Sequence, residues 1–137
     1  MDASISDILT TQKNSVVAIN NLTQILSYMS YVYIADPSPV VQSTTTASIL
    51  YTVPDTLQYT VTGIDICNTS GSPDTFTICF VPPGGTAGAT NALYYSAPIT
   101  AHTTISWRGG TALDSNYTIQ AYAGSTNLTF KISGASN

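Results

Sequence analysis

The hydrophobic period of this chain changes once, and that change limits the folds open to it. Residues 1–33 carry apolar side chains at three- and four-residue spacing, as a helix with one apolar stripe does. Beyond Asp36-Pro37-Ser38-Pro39 the chain alternates apolar and polar residues in short runs, as half-buried strands do. The proline pair separates the two regimes, because proline fixes φ and disfavours helix at the preceding residue. The expected organisation is a helical stalk over 1–35, a Pro/Thr-rich linker over 36–47 and a β-sandwich module over 48–137. That module has the size of one small sandwich domain.

Ser4 followed by Asp7 fits a capping box, with the carboxylate placed at the positive end of the helix. From there Ile5, Ile8, Leu9, Val16, Ile19, Leu22, Leu26 and Met29 mark the stripe. Two heptad frames fit it. One runs Ile5, Ile8, Gln12, Ser15, Ile19, Leu22, Leu26, Met29; the other runs Ile5, Leu9, Gln12, Val16, Ile19, Thr23, Leu26. Both place Gln12 in the seam, where a polar side chain costs stability but can specify register or strand number. The expectation is a parallel homotrimeric coiled coil, since isoleucine at core positions shifts preference beyond dimers. The alternatives are packing against the chain's own β module and docking onto a different protein. Tyr28, Tyr31 and Tyr33 gather at the helix end as a neck, with rings between subunits and hydroxyls in water.

Five runs alternate clearly: Ile49, Tyr51, Val53; Phe76, Ile78, Phe80; Ile99, Ala101, Ile105, Trp107; Tyr117, Ile119, Ala121; and Leu128, Phe130, Ile132. In 58–67 the apolar parity moves from Tyr59 and Val61 to Ile64 and Ile66 across Gly63, which predicts a β-bulge there. Six or seven strands with no second helical pattern imply an antiparallel sandwich or small jelly roll, mainly β overall. His102, Arg108 and Lys131 fall opposite the apolar set of their strands and are expected to face solvent or a neighbouring subunit.

The charge inventory excludes several functions. Only 7% of the 137 residues are charged; the three cations are Lys13, Arg108 and Lys131, and all seven acids are Asp. Three scattered cations cannot form the basic stripe that neutralises phosphates, so nucleic acid is not an expected partner. A Ser/His/Asp hydrolase would have to use His102, the sole histidine, and there is no G-x-S-x-G elbow. Asp36, Asp55, Asp65, Asp74 and Asp114 are scattered through turns and strands, where Asp serves local backbone bonding, and the EF-hand spacing is absent. Two cysteines and one histidine are too few for a zinc site in one chain. No catalytic residue, cofactor or metal is therefore expected, and the chain reads as a non-enzyme. The first residues carry Asp2 and Asp7 and not a basic start with an apolar run, so no secretory signal is expected. Val16 to Ile34 is interrupted by Asn20, Asn21, Gln24 and Ser30, so membrane insertion is not expected either.

Two features remain for function or stability. Pro82-Pro83-Gly84-Gly85-Thr86-Ala87-Gly88 lacks the Lys-Ser/Thr of a phosphate loop and reads as an exposed recognition loop, with Gly84, Gly85, Asn91, Tyr94 and Tyr95 its contact candidates. Cys67 and Cys79 flank a hairpin turn expected within Asn68–Asp74, and both sit opposite the apolar parity, where they could pair across the hairpin. Sequons at Asn21, Asn68, Asn116 and Asn127 are expected by chance in so Ser/Thr-rich a chain.

The stalk Ile5-Ser6-Asp7-Ile8-Leu9-Thr10-Thr11-Gln12-Lys13-Asn14 with Ala18-Ile19-Asn20-Asn21-Leu22 resembles those of small virion proteins of tailed bacteriophages. So do Leu50-Tyr51-Thr52-Val53-Pro54, Ile66-Cys67-Asn68-Thr69-Ser70 and Phe130-Lys131-Ile132-Ser133-Gly134 of the β module. The resemblance implies a non-enzymatic, trimeric virion part made in the host cytoplasm and exposed on the particle. It would be a short fibre or spike on tail, neck or head, partnered with its own copies, with other virion proteins and with host surface glycan or protein. A capsid decoration protein that stabilises the shell is the alternative, and a free carbohydrate-binding module a more distant one. The resemblance transfers no site residues.

Overall fold

The computed structural model describes residues 5–29 and 40–137. The helical period becomes α1, Ile5–Met29. Ser4, and with it the expected capping box, lies outside the described residues, as do Tyr31, Tyr33 and Asp36–Pro39. The side chains of Leu22, Leu26, Tyr28 and Met29 also lie outside them. The chain divides into two units, Met1–Tyr31 and Val32–Asn137.

Eight strands make up the second unit: β1 (Val41–Gln42), β2 (Ser48–Thr52), β3 (Tyr59–Asn68), β4 (Asp74–Val81), β5 (Ala92–Ile99), β6 (Thr104–Leu113), β7 (Thr118–Ala123) and β8 (Leu128–Ser136). Their pairing is nested and antiparallel: β1 with β8, β2 with β7, β3 with β6, and β4 with β5. The chain thus behaves as one long hairpin folded at the β4–β5 connection. Two more pairings, β3 with β8 and β4 with β7, roll it into sheets ordered β1-β8-β3-β6 and β2-β7-β4-β5. This order is a jelly roll, the two-sheet form of the expected antiparallel sandwich.

The core is where the two inner faces meet. Tyr59, Val61, Ile64 and Ile66 of β3 oppose Phe76 and Ile78 of β4, and Ile119, Leu128, Phe130 and Ile132 complete the cluster, all essentially without solvent contact. Each such side chain contributes about 1.5–3 kcal/mol by leaving water. The parity switch in β3 is the bulge expected at Gly63: the register shifts between Val61 and Gly63 on both flanks. Without the extra residue, Ile64 and Ile66 would turn to the outside.

Several expectations fail at corners and edges. β3 and β4 are not a hairpin; they lie in different sheets, and every connection except β4–β5 changes sheet. A run of turn-forming residues, here 68–73, suits a crossover as well as a tight turn. The run from Ile99 to Trp107 is two strands in different sheets, with His102 at φ +51 in the corner between them. Ile49 is 60% exposed, because β2 shifts register between Ile49 and Tyr51 and so turns Leu50 and Tyr51 toward the core. The 36–47 stretch read as linker is partly sheet. Ser43 is buried, exchanges backbone and side-chain bonds with Leu128 and donates its hydroxyl to Ser125 O. A two-residue strand such as β1 is too short to show alternation.

Asn68 fastens the corner where two crossovers meet. Its side chain is fully buried, and Nδ2 donates to Ser72 O at 2.7 Å and to Thr100 O at 3.2 Å. Oδ1 accepts from the backbone N and the hydroxyl of Ser70, and Asn68 N donates to Thr103 O. All four side-chain bonding positions are used, so this sequon is structural and closed to glycosylation. Asn68→Asp keeps the shape but strands two buried carbonyls beside a carboxylate. It should lower the unfolding free energy by about 2 kcal/mol or more, read as a fall in urea midpoint at unchanged m-value.

Candidate functional site

On α1, at 100° per residue, Ile5, Ile8, Leu9, Gln12, Val16 and Ile19 fall within an arc of about 100°. All six are exposed, Ile5 at 77% and Ile19 at 62%. Beside this arc two hydroxyls are bonded within the helix, Thr11 Oγ1 donating to Asp7 O and Ser15 Oγ to Thr11 O, and Val17 stands exposed away from the stripe. The stripe is thus an apolar surface bordered by hydroxyls already spent on their own backbone. Leu22, Leu26 and Met29, which extend it in sequence, have side chains outside the described residues. No helix among the described residues is long and apolar enough to cross a membrane.

The expected recognition loop is an ordered structure at its base. Asn91 Oδ1 accepts from Gly88 N and Asn91 Nδ2 donates to Thr86 O, which folds 86–91 back on itself through a short 3₁₀ turn, Ala89–Asn91. Gly84 adopts φ +73 and is exposed with Gly85 at the tip. Tyr94 and Tyr95 belong to β5, not to the loop. Tyr94 packs its ring 5.2 Å from that of Phe76, and Tyr95 stands exposed. Asn91 is therefore a loop staple and Tyr94 a core flank, which leaves Gly84, Gly85 and Tyr95 as the accessible members.

Cys67 and Cys79 are both free. They alternate away from the core on opposite sheets, whose mean planes in such sandwiches lie about 10 Å apart, beyond the Cα separation of about 4.4–6.8 Å that a disulfide spans. The pairing across a hairpin does not occur, because the hairpin does not exist. Cys79 is covered by the 82–91 loop, with Sγ 3.6 Å from Gly88 O, and burial pushes its thiol pKa up.

The polar candidates do not converge on a reaction centre. His102 is exposed in its corner, and its imidazole bonds to no serine or carboxylate among the described residues. Asp65 of β3 accepts from Ser106 Oγ at 2.7 Å and pairs with Arg108 at 2.8 Å, both on neighbouring β6. Gly63 makes room for this pair, since a Cβ there would lie 3.0 Å from Arg108 Nη1. The Ser106 bond first, then Arg108, holds the Asp65 carboxyl below its ordinary value. No group of three or more metal-ligating side chains forms among the described residues.

One feature escaped the sequence altogether. The outer face of the β2-β7-β4-β5 sheet holds a groove of about 180 Å³. Tyr122 and Thr77 stand directly opposite across β7 and β4 and line it together. Beside them β5 bulges, with Tyr95 and Ser96 facing the single residue Thr77, since Phe76 pairs with Ala97 and Ile78 with Tyr94. Ser96 takes φ +48, and its N–H donates to Thr77 Oγ1 at 2.9 Å. Thr75 and Thr45 complete the rim. The only sequence trace is the outward parity of Thr75 and Thr77, which in a Thr-rich chain carries no signal.

No protein-family model matches the chain, and none of the curated proteins compared with it is a match. Among solved structures, it is similar to a chain in the structure of the infectious bursal disease virus Gx strain. That similarity covers 76% of this chain and 30% of that one, at 16% identity and a TM-score of 0.37. The architecture described above rests on the chain's own strand pairing and core.

Two measurements check this geometry. A thiol reagent should count one cysteine in the native protein, half-buried Cys67, and two after unfolding; two fast native thiols would contradict the cover over Cys79. For Asp65 the folded pKa lies below its ordinary 3.8, so its contribution is complete above that value and lost as pH falls through the folded one. Asp65→Asn should therefore cost under about 1 kcal/mol at pH 7. That gap to the parent should narrow as pH falls below 3.8, in denaturant titrations over a series of pH values.

Proposed function

We propose that this chain is a non-enzymatic structural component of a bacteriophage virion, a short homotrimeric fibre or spike protein whose β module serves attachment to the host surface. The observation that carries this reading is the α1 stripe, a row of large apolar side chains exposed on a 25-residue helix. Helices in proteins draw most of their stability from burying such a face. Ile5, Leu9, Val16 and Ile19 each gain about 1.5–3 kcal/mol on full burial.

A second copy of the same stripe is the partner that fits. The frame Ile5, Leu9, Gln12, Val16, Ile19 keeps to the exposed arc, whereas the other frame includes Ser15 just beyond its edge, a small side chain whose hydroxyl is bonded to Thr11 O and which has little apolar surface to bury. In the favoured frame Leu9 and Val16 take a positions and Ile5 and Ile19 take d positions. Leucine at a with isoleucine at d favours trimers and tetramers over dimers, and Gln12 at d supplies a polar layer that can bond to its own copies. The jelly roll supports the reading as a self-sufficient module with its own core, of an architecture that viral and lectin domains share. Three attachment modules on one coil would bind by avidity, provided they reach their targets together.

Light scattering on the full chain is the test. A mass three times that of one chain is expected, falling to one chain in Leu9→Asp/Ile19→Asp with the β-type circular dichroism retained. A monomeric parent chain would overturn the coiled-coil reading. Mass spectrometry of purified particles from a host producing the chain should find it at fixed stoichiometry, and its absence would overturn the virion assignment.

A further inference from the structure

We infer that the groove on the outer face of the β2-β7-β4-β5 sheet is a binding subsite for one neutral pyranose ring, such as the terminal sugar of an uncharged glycan. The subsite gives a chemistry to the attachment role proposed above, but it stands on the groove's own geometry.

Five of the eight residues that line it carry hydroxyls: Thr45, Thr75, Thr77, Ser96 and Tyr122 share the concavity with Phe76, Ala123 and Gly124. Thr77 is 1% exposed, and its Oγ1 already accepts from Ser96 N. Its own hydrogen finds no acceptor among the described residues. A buried O–H whose hydrogen has no acceptor needs a partner from outside, at a cost of about 1–3 kcal/mol if none is found. Thr45 Oγ1, Thr75 Oγ1, Ser96 Oγ and Tyr122 Oη likewise make no hydrogen bond among the described residues. Five hydroxyls that can each donate or accept match the alternating donors and acceptors of a sugar ring. The Tyr122 ring supplies the apolar patch on which the C–H face of a pyranose can rest.

Charge and size narrow the ligand. No cation lines the groove, and Arg108 and Lys131 belong to strands of the other sheet. Asp74 precedes Thr75 on the rim, with one carboxylate oxygen bonded to Ser125 Oγ and the other to Thr75 N. That negative charge disfavours sialylated or sulfated sugars. An apolar ligand would strip water from hydroxyls and return nothing. The volume of about 180 Å³ falls below the roughly 300–1,000 Å³ of sites for drug-sized ligands and suits a single ring. The β5 bulge builds the end wall, as bulges commonly do beside binding sites.

The test is titration of the full, isotope-labelled chain, followed by amide shifts. The probes are the methyl pyranosides of glucose, galactose, mannose and N-acetylglucosamine, with N-acetylneuraminic acid and glucose 6-sulfate as charged controls. At least one neutral pyranoside should give saturable shifts confined to 75–77, 95–97 and 122–124, with a dissociation constant on the order of 1–10 mM. Tyr122→Ala should weaken it roughly tenfold and Thr75→Val, at an exposed position, about threefold. If Tyr122→Ala does not fold, Thr75→Val carries the comparison. The inference is overturned if no neutral pyranoside saturates these amides by about 50 mM, if the shifts map elsewhere, or if the charged sugars bind more tightly. The scattering mass judges the trimer separately. A monomer that binds sugar keeps the subsite and sinks the coil; a trimer that does not bind does the reverse.

Discussion

The fold hangs on the buried amide of Asn68. A jelly roll must take its chain out of one sheet and into the other, and at those corners the strand ladders no longer satisfy the backbone. Asn68 Nδ2 bonds Ser72 O, two residues before β4 begins, and Thr100 O, one residue after β5 ends. One side chain thereby pins the open end of the β4–β5 hairpin, where Asp74 pairs with Ile99. The register of that hairpin in turn places the bulge at Ser96 beside Thr77, which the separate β4–β7 register seats opposite Tyr122. The groove is thus downstream of the corner.

A second theme is the replacement of charge by hydroxyls. With 7% charged residues, the chain keeps its surface wet through Ser, Thr and Tyr, and the same groups do structural work. Ser43 and Ser125 stitch the β7–β8 corner, and Thr11 and Ser15 cap their own helix carbonyls. Where the hydroxyls find partners they close corners. Where they do not, as in the groove, they make a surface suited to a neutral polyhydroxylated ligand.

The two units obey different stabilising logic. The β unit is complete in itself, with a core contributed by both sheets and a bulge that keeps β3 facing inward on either side of Gly63. Tyr51 and Tyr59 meet across the sandwich with ring centroids 4.5 Å apart, and burial holds the Tyr51 hydroxyl above its usual pKa. The described part of α1 presents apolar side chains to solvent along the arc that a second helix would cover. Association is the physical remedy for such a face.

Local periodicity made α1, most strands and the Gly63 bulge legible in the sequence, because each depends on where apolar side chains recur within about ten residues. The helix stripe was readable for the same reason, although the bond from the Ser15 hydroxyl to Thr11 O was visible only in the structure. Partnership between distant strands was not readable. The sequence between Cys67 and Cys79 reads as a hairpin because a crossover and a tight turn use the same residues. Ile99 to Trp107 passed as one strand because the corner at His102 happens to preserve parity. Asn91 and Tyr94 looked like contact residues until a loop and a core claimed them. The sequence by itself determined which segments are helix or strand and which faces turn inward, since backbone period and solvent preference act locally. Only the tertiary structure decided which strands are neighbours, and with that the separation of the cysteines and the gathering of Thr45, Thr77, Ser96 and Tyr122 into one groove. Residues so far apart in the chain meet only through sheet order and register.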